Sequence, residues 1–162
     1  MADSSFDVVV ETDRQEVDNA INQASKEVAQ RYDFKGTDTS IAWSGDEIAV
    51  ASNSEERATA ALDVLKDKFV KRKLSLKTME AGEPKPAGGK MYRLEISLVE
   101  GIPTDKAKAM VKTIKASKLK VTPAIQGDQL RISGKKKDVL QEVQALLKDN
   151  DQGLPITFTN YK

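Results

Sequence analysis

Apolar positions along the chain change period several times, and each change predicts an element. Phe6 to Val10, Phe-Asp-Val-Val-Val, is a β-branched run of strand type. Val17, Ala20, Ile21, Ala24 and Val28 then recur at helical spacing, with Asp18, Gln23, Lys26, Glu27 and Gln30 on the other faces. This predicts an amphipathic helix of about five turns, ending near Arg31 or Tyr32. Asp13 with Glu16 three residues on predicts its capping box. Ser40 to Trp43 and Glu47 to Ala51 flank the turn Ser44-Gly45-Asp46 and predict a hairpin. Asn53 with Glu56 predicts a second capping box, followed by a helix through Ala58, Ala61, Leu62, Leu65 and Phe69. Lys71-Arg72-Lys73 reads as the solvated basic end of that helix rather than a phosphate site. Leu74 to Met79 alternates and predicts a fourth strand.

The stretch from Glu80 to Gly89 holds two prolines and three glycines and predicts a linker or loop. After it the order of elements returns. Tyr92 to Leu98 alternates as a strand, and Ala107, Met110, Val111 and Ile114 mark a helix. Strands at Lys120 to Gln126 and Gln129 to Ile132 flank the turn Gly127-Asp128, and Pro123 predicts that its strand lies at an edge or is irregular there. Val139, Leu140, Val143, Leu146 and Leu147 form the last helix, and Pro155 to Phe158 the last strand. Each half therefore reads βαββαβ.

The two halves align as a duplicated unit. At an offset of 82, Gly45-Asp46 falls on Gly127-Asp128, Ile48 on Leu130, Val50 on Ile132, Ala61 on Val143, Leu65 on Leu147, and Lys66-Asp67 on Lys148-Asp149. The first helices align at an offset of 90, with Val17 on Ala107 and Ile21 on Val111. The first half thus has about eight extra residues between helix and hairpin, read as the region Tyr32 to Thr39. A loop that one copy has and the other lacks is free to serve function.

Composition narrows the chemistry. The chain has 162 residues, 31% of them charged, and neither Cys nor His. That removes a thiolate nucleophile, an imidazole acid or base, disulfides and the usual zinc site, and no acidic cluster has metal-ligand spacing. The chain reads as no enzyme, with no cofactor and no metal. No run of eighteen apolar residues occurs, and the N-terminus lacks the features of a secretion signal, so a cytoplasmic protein off the membrane is expected. The net charge of +1 conceals an asymmetry. Residues 1 to 60 carry 5 basic and 13 acidic side chains, a net of −8, and residues 101 to 150 carry 11 basic and 5 acidic, a net of +6. This reflects an anion-binding face on the second half or attraction between the halves.

Two groups of residues carry candidate chemistry. Arg31-Tyr32-Asp33-Phe34-Lys35-Gly36, with Trp43 beyond it, holds three of the eight aromatic residues. A ring beside a cation can stack a base and meet its phosphate; alternatively, Tyr32 and Phe34 close the helix onto the core. The second group is basic. Lys135-Lys136-Lys137 stands where the first half has Asn53-Ser54-Glu55, against the preference of a helix N-terminus for anions. Lys112, Lys115, Lys118 and Lys120 gather around the end of the preceding helix. Together with Arg131, residues Lys115, Lys118, Lys120, Lys135, Lys136 and Lys137 read as a phosphate-binding set or as a solvated lysine-rich surface.

The residues Ser5-Phe6-Asp7-Val8-Val9, Glu16-Val17-Asp18-Asn19-Ala20, Arg31 to Gly36, Ile125-Gln126-Gly127-Asp128, Gly134-Lys135-Lys136-Lys137-Asp138 and Phe158-Thr159-Asn160-Tyr161 together resemble the bacterial YajQ family. The resemblance runs over nearly the whole chain. It implies an α+β fold of two ferredoxin-like, RNA-recognition-module-like domains in tandem, with their N-terminal strands exchanged. The first domain would be residues 11–80 plus the strand 91–99, the second 5–10 plus 100–162, and 80–90 the linker. It implies cytoplasmic proteins that bind RNA, nucleotides or, in some members, a cyclic dinucleotide, and it brings no catalytic residues. Lys136 and Lys137 stand where Arg is expected in many members, which keeps the charge but loses the forked geometry. The aromatic strand signature of RNA-recognition modules is absent.

The sequence thus reads as a non-catalytic binder of RNA or a nucleotide. Arg31, Tyr32, Phe34, Lys35 and Trp43 would supply stacking and nearby charge, and the second-half lysines a phosphate track. The alternative is a protein-interaction adaptor whose partner meets the acidic first half.

Overall fold

Where the first two helices begin is decided by a few polar side chains. The computed structural model describes residues 3–162. β1 (Ser4–Val9) precedes α1 (Arg14–Gln30). Asp13 caps α1, its carboxylate accepting from the backbone N–H groups of Gln15 and Glu16 at 3.1 and 3.2 Å. Only half of the expected capping box forms, because the Glu16 carboxylate turns to Arg72 at 2.8 and 3.2 Å. A guanidinium fork is a stronger partner than one backbone N–H. The hairpin is β2 (Ser40–Ser44) and β3 (Glu47–Ser52), and α2 follows (Glu55–Lys71). Its cap is Ser54, whose Oγ accepts from Arg57 N–H at 3.2 Å. The expected cap Asn53 instead donates its side-chain amide to Gly36 O at 3.1 Å.

The stretch after α2 departs from its alternating pattern. Ser75 Oγ accepts from Lys77 N–H at 3.1 Å and closes a turn of 3-10 helix over Leu76–Thr78. The strand β4 is therefore pushed on to Met79–Ala81, and Leu76 turns outward. The Pro/Gly-rich stretch is likewise ordered by pairing. β5 (Lys85–Pro86) lies against Arg93 and Tyr92 of β6 (Tyr92–Leu98), and Gly82 N–H donates to Glu95 O at 2.8 Å. Left-handed backbone at Gly88, Gly89 and Lys90 makes the return. Beyond lie α3 (Thr104–Ser117), β7 (Thr122–Gln126), β8 (Gln129–Gly134), α4 (Lys137–Asp149) and β9 (Thr157–Thr159).

These elements make a mixed α+β fold with two antiparallel sheets and, among the described residues, four α-helices. Among the described residues, Thr12–Val99 forms one compact unit, and residues 3–11 together with Glu100–Lys162 form the other. In the first unit the strand order is β2-β3-β6-β4, with Ile48 opposite Ile96 and Val50 opposite Leu94. Ile48, Leu65, Phe69, Leu94 and Ile96 fill its core, against α1 and α2. In the second unit the order is β7-β8-β1-β9, with Phe6 opposite Ile132 and Val8 opposite both Leu130 and Phe158. Phe6, Met110, Ile114, Leu130, Ile132 and Leu147 fill its core. Pro123 sits on β7, the edge strand, where the N–H it lacks has no ladder partner to lose.

The length difference between the helix–hairpin segments is not all loop. α1 has 17 residues and α3 has 14, and the connection to the hairpin is 31–39 in one unit and 118–121 in the other.

Both units hold carboxylates whose charge the fold favours. Asp7, 4% exposed, accepts from Arg131 at 2.9 and 3.3 Å and from Asn160 at 2.9 Å. The Arg131 hydrogen bonds hold its carboxyl below the usual carboxylate range, against the opposing effect of burial. Glu27 is held low in the same way by Lys68, at 2.8 Å. Above the ordinary carboxylate range both groups are ionised in the folded and unfolded chain, and their contribution is complete. As pH falls through about 4.5, the unfolded chain takes up protons first, so stability declines until the folded carboxyls also protonate. Urea midpoints should therefore fall steadily between about pH 5 and about pH 3. A midpoint level across that range would contradict these pairings.

Candidate functional site

The second unit gathers lysines at two junctions that the β7–β8 ladder brings side by side. β8 runs into Lys135 and Lys136, and α4 begins at Lys137. α3 ends at Ser117 and is capped by Lys118, which takes a left-handed backbone at φ 61°, and Leu119 and Lys120 lead into β7. Thr122 lies opposite Ser133, so the two lysine-bearing segments face one another at one end of the sheet. Gly134 lets them approach. A Cβ there would stand 3.1 Å from Val121 Cγ1 and 3.3 Å from Lys120 O. The result is a cleft of about 650 Å³ whose lining includes Lys118, Lys120, Lys135 and Lys136, the apolar side chains of Leu119 and Val139, and one carboxylate, Asp3. All four lysines are exposed, and among the described residues none of them is in an ion pair.

The start of α4 adds to this charge. Its cap position is Lys136, with no side-chain hydrogen bond to the first turn. The first-turn N–H groups and the positive helix end thus face a cationic surface. The matching junction of the other unit is closed, with Ser54 capping α2 and Glu55 and Glu56 in its first turn. One helix start is satisfied internally and the other is left asking for an anion. Lys136→Asp should supply both the cap and the favourable charge, raising stability by about 1 kcal/mol in urea unfolding. No gain in midpoint would mean that the α4 start already has a partner.

The other sequence-selected residues fall elsewhere. Lys115, in the last turn of α3, and Lys137, the first residue of α4, are exposed but do not line the cleft. Arg131 is drawn off by Asp7, so its Nε and Nη2 bind a carboxylate rather than joining a phosphate track. Trp43 lies on the helix side of β2, half-buried against the core. Its Nε1–H donates to Asp18 at 3.0 Å, and the Arg14 guanidinium stands 4.6 Å from its ring. Phe34 is 5% exposed within the core, with Arg31 and Arg57 at 5.2 and 5.8 Å from its ring, which leaves no face for a base. Its role is the bland one: it anchors the loop. Arg31 forks onto Asp33 at 3.0 and 2.8 Å. Tyr32 is 88% exposed, and Lys35 is exposed without an ion pair among the described residues. By strand register, the face of each sheet away from its helices carries no aromatic side chain among the described residues.

The family model for YajQ-like nucleotide-binding proteins matches residues 4–162. The chain belongs to this family. Relatives named nucleotide-binding protein include those of Streptomyces griseus, 51% identical over 163 residues, and Streptomyces avermitilis, 52% identical over 163 residues. One from Mycobacterium avium is 52% identical over 164 residues. In each case the alignment covers all of both chains.

In this YajQ-like chain the cleft is lined by cations. Lysine is a mobile point charge that meets a phosphate oxygen from several directions. Among the described residues no group of three or more Asp or Glu side chains is placed to hold a metal ion, and no helix is long and apolar enough to cross a membrane. Gly134, Leu119, Ser133 and Val139 also line the cleft, though none of them carries a charge that marks it in the sequence. The glycine directly before the lysine triplet was the one available signal.

Proposed function

We propose that the chain is a non-catalytic nucleotide-binding protein that takes the phosphates of RNA or of a nucleotide, cyclic dinucleotides included, in the cleft around residues 118–120 and 133–139. The observation that carries this reading is the convergence of Lys118, Lys120, Lys135 and Lys136 beside an uncapped helix start. Unpaired cations and free N–H groups at one place are complementary to a phosphate. The names of the relatives support the same ligand class. Both units are, in this reading, ferredoxin-like copies of one ancestral βαββαβ unit, which their matching strand orders support.

The test is a titration of the full chain with labelled single-stranded RNA, a cyclic dinucleotide and mononucleotides at several salt concentrations. Binding should be saturable, and for RNA log K should fall linearly with log salt, by about 0.7 per phosphate neutralised. Absence of binding to every member of the panel at low salt would overturn the proposal.

A second reading, a protein-interaction surface, is favoured by a groove of about 540 Å³ in the first unit, whose lining has four carboxylates, Glu47, Glu80, Glu83 and Glu95, against two cations, Lys85 and Arg93. Reversing Glu80 and Glu83 to Lys should leave nucleotide affinity unchanged and abolish binding of any basic partner seated there.

A further inference from the structure

The connection 31–39 is braced throughout, and one ring is left out of the bracing. Phe34 N–H donates to Arg31 O, Lys35 N–H to Tyr32 O and Thr37 N–H to Phe34 O, at 3.2, 3.1 and 3.2 Å. Asp33 is held by Arg31 and by Arg57, the latter at 3.3 Å. Asn53 closes the far side through Gly36 O and Thr37 O. Phe34 pins the middle into the core. The Tyr32 side chain points away, 88% exposed, with no side-chain hydrogen bond, ring or cation against it among the described residues. Tyr32 to Phe34 is a turn of 3-10 helix, in which side chains three apart eclipse. Lys35 therefore lies on the same side as Tyr32, and it too has no ion pair among the described residues.

The backbone that carries this ring is already fixed by hydrogen bonds, so stacking on it has only the side chain left to order. Its neighbours Gln30, Arg31, Asp33, Lys35 and Gly36 are polar or lack a side chain and are all exposed. A protein hot spot needs an aromatic set in a surrounding apolar patch that excludes water, whereas base stacking needs only a π-face and a cation for the adjoining phosphate. The surroundings fit the second.

We propose that Tyr32 stacks on an unpaired base of a single-stranded nucleic acid, with Lys35 on the adjoining phosphate, so that the first unit carries its own contact and the ligand is an oligonucleotide. This rests on the nucleotide-binding reading of the chain and goes beyond it, since the lysine cleft is lined by no ring.

The test compares full-length wild type, Tyr32→Ala and Tyr32→Phe by fluorescence anisotropy on a short single-stranded RNA and on an abasic oligonucleotide with the same phosphates. Tyr32→Ala should weaken binding to the base-bearing RNA about 5- to 100-fold, with the salt slope unchanged. Tyr32→Phe should stay within about twofold of wild type, because the π-face is kept. On the abasic strand all three should bind alike. A Tyr32→Ala chain that holds base-bearing RNA as tightly as wild type overturns the proposal, leaves a protein partner as the ring's occupant, and leaves the lysine cleft untouched. Equal losses on both strands also overturn it, by making the contact one to the backbone. Failure of wild type to bind either strand would overturn this proposal together with the RNA-binding reading it rests on.

Discussion

Replacing Lys118, Lys120, Lys135 and Lys136 together by Ala is expected to weaken binding of a short single-stranded RNA on the order of 100-fold at low salt. The four side chains are exposed and in no ion pair among the described residues, so removing them takes away attraction without disturbing the fold. The salt slope should shrink as well, by about 0.7 for each phosphate no longer neutralised. Lys115→Ala with Lys137→Ala is the control, to be set beside Lys118→Ala with Lys135→Ala: two charges of the same kind, outside the lining, whose removal should cost far less affinity than that of two lining lysines. An unchanged slope in the fourfold variant would remove the cleft from the account. So would a control as damaging as the lining pair.

Gly101→Ala should destabilise the second unit by about 2 to 4 kcal/mol, the largest effect on stability expected of so small a change. Gly101 holds the chain entering α3 at φ +78°, where an L side chain is strained. Its N–H donates to Val10 O and the next residue, Ile102, donates to Asp128 O, both at 2.8 Å. An added Cβ would stand 2.6 Å from Asp128 Oδ2 and 3.0 Å from Asp128 Cβ, so the Asp128 carboxylate would have to swing away and the helix entry or the hairpin turn give slightly. The remedy tells the two causes apart. In the background of Asp128→Gly the steric part should vanish, while the cost of the left-handed backbone remains. Urea unfolding of the four chains of this cycle measures both. A Gly101→Ala midpoint equal to that of wild type would contradict the geometry.

Much of the fold was readable because its signals are local. Gly45 and Gly127 each open a two-residue turn between alternating strands, and both hairpins form there with left-handed glycines. The helices follow their apolar spacing, and their buried residues include Val17, Ala20, Ile21, Ala24 and Val28, then Ala58, Ala61, Leu65 and Phe69. What periodicity could not supply was the choice of partner strand. β1 and β6 are both short strands with apolar residues for the core, and their pattern says which side chains face the core, not which neighbour lies beside the strand. Local competition explains the smaller departures. Ser75 diverts Leu74 to Thr78 from a strand into a turn, and Glu16 leaves its capping box for Arg72.

The candidate site was legible only where residues act without distant partners. Lys135 and Lys136 stood out against the capped junction of the other half, and they do line the cleft with Lys118 and Lys120. Arg131 looked free because its partner Asp7 lies 124 residues away in sequence. Phe34 looked like a stacking ring because cations stand beside it, and Trp43 because it lies just beyond that stretch, but Arg31, Arg57 and Arg14 lie over those rings within the fold. Tyr32 and Phe34 are two residues apart on a turn of three residues, so one is buried and the other is displayed. Nothing in the order Arg-Tyr-Asp-Phe-Lys-Gly says which.

The most direct measurement is a two-dimensional amide NMR titration of the full chain with a short single-stranded RNA, with a cyclic dinucleotide and a mononucleotide alongside. If phosphate sits in the lysine cleft, the largest shift changes fall on the amides of residues 118–120 and 135–139. Among them, those of the first turn of α4 should move downfield as their free N–H groups gain an anion. Saturable changes that leave these amides still would contradict the account.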